Sequence, residues 1–240
     1  MKLRVKPVFV RTRNVRNFEV MMDGLAQSAG EGRLGLVYSR AGRGKTRTAQ
    51  WYAANNRCVY LRVASVWRTG ETDFLRALCR ELGIVDPPKR KGAAFGEALD
   101  AMISDPRPVY IDELEKLPGH FLDTVRDLSD LSTAPVILLG EEELHAVVRR
   151  NRRVWSRVYQ QVAFDPIGVP DVMVYAGEAA GVKLSPQTAT ILHKAAEGDF
   201  RIIRRDVISL VQICNANGTA DPDEKMARIA VKAGLQGGGE

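Results

Sequence analysis

The sequence predicts an α/β fold: a parallel sheet sandwiched by helices, followed by a smaller helical domain. Three observations predict it. Short apolar runs of strand length alternate with segments of helical period between residues 33 and 164. A glycine-rich stretch, SRAGRGKT (39–46), leaves the first of those runs and opens a helix. Beyond Pro166 the strand pattern stops and only helical patterns follow. Strands that alternate with helices return to the sheet in the same direction, which gives parallel neighbours covered on both faces.

Each element has its own signal. NVRNFEVMMDGLAQSA (14–29) places Phe18, Met21, Met22 and Leu25 on one helical face. RLGLVYS (33–39) is an apolar strand, and TRTAQWYAANN (46–56) is a helix. CVYLRVA (58–64) reads as a second buried strand. TDFLRALCREL (72–82) is an amphipathic helix stopped by Gly83. The proline- and lysine-rich DPPKRKG (86–92) is a loop, and AAFGEALDAMI (93–103) is helical. PVYID (108–112) and APVILLG (134–140) are the third and fourth strands, a helix covers 141–150, and VYQQVAF (158–164) is the fifth strand. Ser, Asp, Pro and Gly bound the helical patterns over 170–181, 185–198 and 199–218. The expected organisation is a nucleotide-binding α/β domain over 1–166 with a basic arm over 1–16, a helical lid over 167–233, and a disordered tail over 234–240.

The chain has 240 residues, 45% of them hydrophobic, enough for one large domain or one domain with a small appendage. The net charge of +6 favours a polyanionic partner without specifying one. Lys2, Arg4, Lys6, Arg11, Arg13 and Arg16 lie in a stretch with no acidic residue, which reads either as a solvated tail or as an arm on a phosphate backbone. Cys58, Cys79 and Cys214 are far apart and form no C-x-x-C pair, against a disulfide framework or metal site and in favour of a reducing cytosol. No apolar run approaches the roughly 18 residues of a membrane span. MKLRVKPVFV is too short in its apolar part for a signal peptide. A soluble cytoplasmic protein with no membrane partner is expected. His120, His145 and His193 are scattered and read as ordinary histidines.

The stretch SRAGRGKT fits G-x-x-x-x-G-K-[ST] except that Ser39 stands at the first glycine. A loop that runs from a buried strand into a helix aims backbone N–H groups and a helix N-terminus at one point, where an anion is favoured. Lys45 would reach the β- and γ-phosphates of ATP, and Thr46 would offer its hydroxyl to Mg²⁺. Gly42 and Gly44 allow angles and close approach that a Cβ hinders. Arg43 and Arg47 flank the same group, and a serine at 39 fits if its φ is negative. The second half of the site is VYIDEL (109–114): Asp112 suits the metal, held through water, and Glu113 suits the base that polarises an attacking water. A small-molecule kinase has no need of this acidic pair.

These motifs resemble those of AAA+ ATPases, and more narrowly the transposition ATPases of the MuB, TniB and TnsC type. The resemblance covers roughly residues 10–215. It rests on SRAGRGKT, YIDELEKL, VILLGEEEL (136–144), WSRV (155–158), FDPIGVPDV (164–172) and GDFR (198–201). By position it implies that Arg157 is an arginine finger inserted into a neighbouring subunit's site, with Arg152 and Arg153 as alternatives. A guanidinium suits that task because it is always charged and forks onto phosphate oxygens. Arg201, or else Arg204, would be the lid arginine that reads the nucleotide. Where the family has a polar sensor after the fourth strand, this chain has Gly140 and Glu141, and a carboxylate beside a triphosphate is repelled.

The resemblance further implies a homo-oligomer, ring or helical filament, that forms with ATP on double-stranded DNA and activates a transposase. The DNA-facing candidates are Arg62, Trp67 and Arg68 after the second strand, Lys89, Arg90 and Lys91 in the loop, and Arg149, Arg150, Arg152 and Arg153 in RRNRR. Backbone binding by such cations is salt-sensitive and largely sequence-independent. Two rivals keep the fold. One is an AAA+ ATPase of another branch, linked to secretion or to replication loading. The other is a nucleotide-gated DNA scaffold with little hydrolysis.

Overall fold

In the computed structural model, which describes residues 2–28 and 33–236, five strands form one parallel sheet in the order β2-β3-β4-β1-β5. They are β1 (Leu34–Tyr38), β2 (Val59–Arg62), β3 (Val109–Asp112), β4 (Val136–Gly140) and β5 (Val158–Ala163). Each of the five expected strands is present, and the fold class stands. The interior strands β3 and β4 are buried along their whole length, as both faces are covered. The edge strand β5 alternates half-buried and exposed residues, which is why its sequence tolerates Gln160 and Gln161.

The two-residue period of a strand sorts the core onto two faces. Leu34, Leu36, Val109, Ile111, Val136 and Leu138 join one cluster, with Phe74, Leu78, Phe121 and Leu128 from the covering helices. Val37, Tyr110, Ile137 and Leu139 point the other way, into a cluster with Phe18, Met21, Met22, Leu25 and Ala49. The helices that supply those residues are α1 (Arg13–Gln27), α2 (Lys45–Asn55), α3 (Glu71–Glu81) and α5 (Phe121–Ser132), and α4 (Lys91–Ser104) adds Ala94, Ala98 and Met102 to the first cluster. Expected residue 29 of the first helix lies outside the described residues. The expected helix over 141–150 is α6 (Glu142–Arg150), and the following α7 (Arg152–Trp155) turns the second half of RRNRR into helix.

Four helices follow: α8 (Val169–Ala180), α9 (Pro186–Ala196), α10 (Phe200–Asn217) and α11 (Glu224–Gln236). Pro186 stands at the first position of α9 with Ser185 as its cap, whose hydroxyl accepts from the Thr188 amide. Gly181 and Gly218 end α8 and α10 in the left-handed conformation. The expected tail begins inside α11, and its residues 237–240 lie outside the described residues.

By contacts the chain forms two compact units. One comprises residues 15–40 and 45–164; the other comprises residues 1–14, 41–44 and 165–240. The first fourteen residues and four residues of the glycine loop therefore group with the C-terminal helices. The reason for the former is packing: Leu3, Val5, Val8 and Val10 join the hydrophobic cluster of α8–α11, while Lys2, Arg4 and Lys6 are exposed.

Candidate nucleotide site

Within the sheet-containing unit, parallel pairing puts the C-terminal ends of β1 and β3 at the same edge, with β4 between them. α2 starts at Lys45, and the N-terminal amides of a helix point outward along its axis, where an anion is favoured. The Lys45 side chain is buried, and its ammonium donates to the Ser39 carbonyl at 2.7 Å, the Ser39 hydroxyl at 3.0 Å and the Arg40 carbonyl at 3.1 Å. Ser39 is buried too, and its hydroxyl donates to the Arg40 carbonyl at 3.0 Å. Among the described residues only Glu113, Thr133 and Glu197 combine a side chain with a positive φ, so Ser39 meets the backbone condition for replacing glycine. Thr46 is half-buried and Arg47 exposed.

The middle of the loop is held in the other unit. Gly42 has φ 78° and its carbonyl accepts from the Phe200 amide at 2.9 Å. A Cβ there would run into the Asp199 carboxylate, so contact and backbone angle both demand glycine. Gly44, at φ 96°, has nothing within 4 Å of where its Cβ would stand. Arg43 is buried, and its guanidinium donates to the Glu197 carbonyl at 2.6 Å. Asp199 caps α10 by accepting from the Arg201 amide at 2.7 Å, and the Arg201 and Arg204 side chains are exposed on its first turns.

At the end of β3 the two carboxylates have different surroundings. Asp112 is buried; one oxygen accepts from the Tyr60 hydroxyl at 2.7 Å and the other from the Glu113 amide at 3.0 Å. Burial pushes the Tyr60 hydroxyl well above its usual range, and the hydrogen bond to Asp112 adds to it. Glu113 adopts the left-handed region at φ 62°, a costly conformation that its surroundings must maintain. Its carboxylate is ion-paired with Arg62 and with Lys116. Burial pushes its carboxyl up, but hydrogen bonds and charge from Arg62 and Lys116 outweigh that and hold it below the ordinary range.

Two residues on, Glu115 packs against Gly140, where any side chain would collide with it. One Glu115 oxygen is buried without a hydrogen-bond partner. Burial pushes its carboxyl up and the Glu141 and Glu113 charges add to the effect, while backbone amides oppose it. Glu141 stands at the N-cap of α6 without a side-chain cap bond.

The remaining cations divide into paired and unpaired. Arg157 donates to Asp130 on α5 at 2.8 Å, Lys91 is ion-paired with the buried Glu71, and Arg62 with Glu113. Arg68, Lys89, Arg90, Arg149, Arg150, Arg152 and Arg153 are exposed, and none forms an ion pair among the described residues. RRNRR is an ordered corner, since Asn151 caps α7 by accepting from the amides of Arg153 and Val154 while Val148 and Val154 are buried. Trp67 packs against the core from a short 3₁₀ turn over Ser65–Thr69.

His145 stacks on Tyr38 at 4.3 Å and meets the edge of Trp155. No cluster of three or more metal-binding side chains exists among the described residues. No helix among them is long and apolar enough to cross a membrane.

Sequence reasoning did not single out Tyr60, Lys116, Asp130 or Glu197. Only Lys116 left a local signal, at three residues from Glu113. The others act through tertiary contacts or a backbone carbonyl.

A model of the AAA domain matches residues 28–148, half of the chain. The chain is similar to the Mu-like prophage FluMu DNA transposition protein B of Haemophilus influenzae, at 25% identity over 206 residues, covering 82% of this chain and 70% of that one. It is similar to the ATP-dependent target DNA activator B of Escherichia phage Mu, at 26% identity over 178 residues, and spans 55% of that protein's length. Among solved structures it resembles Cdc6p from Pyrobaculum aerophilum (TM-score 0.68, 15% identity, 95% of this chain and 69% of that one). It also resembles the Aeropyrum pernix ORC2 protein (TM-score 0.67, 15% identity, 96% and 69%). At that identity the two structures establish the fold alone. The matched stretch holds the glycine loop, the acidic end of β3 and four of the five strands in their P-loop order, and the chain belongs to the AAA domain family.

Proposed function

We propose that this chain binds ATP and Mg²⁺, hydrolyses ATP slowly, and assembles on double-stranded DNA to select transposition targets and activate a transposase. The observation that carries the reading is the buried ammonium of Lys45, held by Ser39 and Arg40 beside the start of α2, in a sheet whose β3 ends on Asp112 and Glu113. The names of the similar phage proteins support the DNA and transposition parts.

The residues present fit the triphosphate and its metal. A Cβ at Gly44 would meet nothing within 4 Å, and the start of α2 at Lys45 gives the loop the N-terminal end of a helix dipole, which favours an anion. Gly42, Arg43 and Lys45 would hold phosphate oxygens, with Ser39 and Arg47 at the ends of the loop and Arg201 from the lid. Thr46 and Asp112 would hold Mg²⁺, directly or through water. The bound metal neutralises charge that develops on the transferred phosphoryl group. Mg²⁺ in such sites is held by one or two protein oxygens, with substrate phosphates and water supplying the rest.

Glu113 would orient and deprotonate the attacking water, and to do so it must leave Arg62 and Lys116. Turnover of the isolated chain is therefore slow. A cation from a neighbouring subunit completes the site in an assembly. Arg157 is the residue in the finger position, and Arg152 and Arg153 are the unpaired alternatives beside it. The exposed cations Arg68, Lys89, Arg90, Arg149 and Arg150 supply sequence-independent phosphate contacts, joined by Arg62 and Lys91 when they leave their carboxylates, while Trp67 packs against the core.

The test is ATP turnover with and without duplex DNA and transposase, together with electron microscopy of protein, ATP and duplex. ATP-dependent assemblies on DNA, and turnover stimulated by DNA or transposase, are expected. DNA that changes neither turnover nor sedimentation would remove the transposition reading. A second reading, a nucleotide-gated scaffold with little hydrolysis, is favoured by the double ion pair on Glu113. It wins if turnover is absent under every condition while ATP still drives assembly.

A further inference from the structure

The cationic side chains of the N-terminal stretch are used neither by the packing nor by the loop chemistry described above. Its chain is fixed. The Leu3 amide donates to the Asn215 side chain at 2.7 Å, the Asn215 side chain donates back to the Leu3 carbonyl at 2.9 Å, and the Lys6 amide donates to the Ala179 carbonyl at 2.7 Å. Leu3 and Val5 pack against the helical cluster of α8–α11. Side chains therefore alternate: Leu3 and Val5 face inward, and Lys2, Arg4 and Lys6 are exposed. Docking the strip requires apolar residues only at the inward positions. The outward positions are free to be any polar residue, yet all three are cations. None of the three forms an ion pair among the described residues.

We propose that Lys2, Arg4 and Lys6 form a phosphate-binding strip on the helical unit that contacts the backbone of duplex DNA. The proposal rests on the DNA-binding reading above and extends it to residues outside the sheet-containing unit. Two residues of extended chain advance about 7 Å, close to the advance of two nucleotides along the duplex axis at about 3.4 Å each. Three like charges at even spacing thus meet a rod of evenly spaced opposite charges. Holding the strip against the helices removes beforehand much of the ordering cost that a loose basic tail meets on binding. A lipid surface is a poorer match, because a peripheral membrane binder presents apolar side chains alongside its cations, and here the apolar ones are turned inward.

The test compares the full chain with two triple variants, one neutral (Lys2→Gln, Arg4→Gln, Lys6→Gln) and one that keeps charge (Lys2→Arg, Arg4→Lys, Lys6→Arg). Binding to a labelled duplex is measured with saturating MgATP over a range of salt concentrations. Each lost phosphate contact lowers the salt slope by about 0.9, so the neutral variant is expected to lose about two to three units of slope. Its affinity at physiological salt should fall on the order of tenfold or more. The charge-keeping variant should bind like the parent, and ATP-analogue binding and melting should be unchanged in both. If the neutral triple melts early, Arg4→Gln alone gives the same reading with a slope change of about 0.9.

A neutral variant with the parent's affinity and slope overturns the strip while leaving the DNA-binding reading intact. So does a charge-keeping variant that loses as much as the neutral one, or a strip whose loss abolishes capture by phosphatidylserine vesicles and not by DNA. A parent chain that binds no duplex sinks the DNA-binding reading, and the strip with it.

Discussion

The guanidinium of Arg62, at the end of β2, is ion-paired with the carboxylate of Glu113, the residue that follows β3. The register Arg62↔Asp112 places them side by side across the β2–β3 ladder. Glu113→Gln should leave ATP binding intact and lower turnover by about 10²–10⁴-fold, the usual contribution of a general base. Arg62→Ala should raise DNA-independent turnover, because one of two cations restraining the base is gone. Steady-state phosphate release reads both, and unchanged basal turnover in Arg62→Ala would mean the ion pair does not restrain the base.

The Arg157–Asp130 pair separates a structural role from a role in a neighbouring subunit. A hydrogen bond between charged groups contributes roughly 1.5–3 kcal/mol when largely shielded, and these side chains are 32% and 17% exposed. Arg157→Ala and Asp130→Asn should both lower the melting temperature by a few degrees. A trans finger adds a second expectation: Arg157→Ala loses far more turnover than Asp130→Asn, and mixing it with Lys45→Ala subunits restores part. Equal losses in the two variants and no complementation would transfer the finger role to Arg152 or Arg153.

Gly42 and Gly44 share a positive φ but not a neighbourhood. Gly44→Ala meets only the backbone cost of a side chain at positive φ, on the order of 1–3 kcal/mol. Gly42→Ala meets that and a collision with the Asp199 carboxylate. Titration with a fluorescent ATP analogue should show a far larger loss for Gly42→Ala, and Asp199→Gly should recover part of it. Equal losses in the two glycine variants would contradict the contact.

Asp206 on α10 is fully buried, accepts from Arg205 at 2.9 Å through one oxygen, and has no partner for the other. Burial pushes its carboxyl up, with Arg205 opposing. A folded-state value above the unfolded one, about 3.9, gives a contribution present below that value and lost as pH rises through the folded one. Asp206→Asn should therefore gain stability relative to the parent chain as pH rises from about 4 and then level off. Urea unfolding across that range reads it, and a gap independent of pH would refute the assignment.

The interior strands β1, β3 and β4 were legible as short apolar runs with glycine or acidic punctuation, and the edge strands β2 and β5 as strand-length runs that admit Arg62, Gln160 and Gln161. Three helices were not: the single turn α7 is too short to show a period, and two longer ones lacked a signal. α5 carries Phe121, Leu122, Val125 and Leu128 on its buried face, yet Pro118 and Gly119 stand just ahead of it and His120 gives no side-chain cap. α11 packs through Ala227 and Ala230, residues too small to stand out as a hydrophobic period. In the candidate site, Lys45, Thr46, Asp112 and Glu113 follow from local pattern. The partners that set their chemistry, such as Tyr60, lie on neighbouring strands, and pairing register is not written in any short stretch. The cations at residues 2, 4 and 6 stood out in the sequence, but the docking of Leu3 and Val5 onto the C-terminal helices did not, because those contacts lie far away along the chain.

The polypeptide passes between its two units at residues 14, 40, 44 and 164. A fragment ending after Phe164 would keep the whole sheet and Lys45 but forfeit the Phe200 amide that binds Gly42 and the Glu197 carbonyl that binds Arg43. Severing this protein at its most obvious seam would therefore leave the loop unmoored, and the fragment is expected to hold an ATP analogue more weakly than the intact molecule.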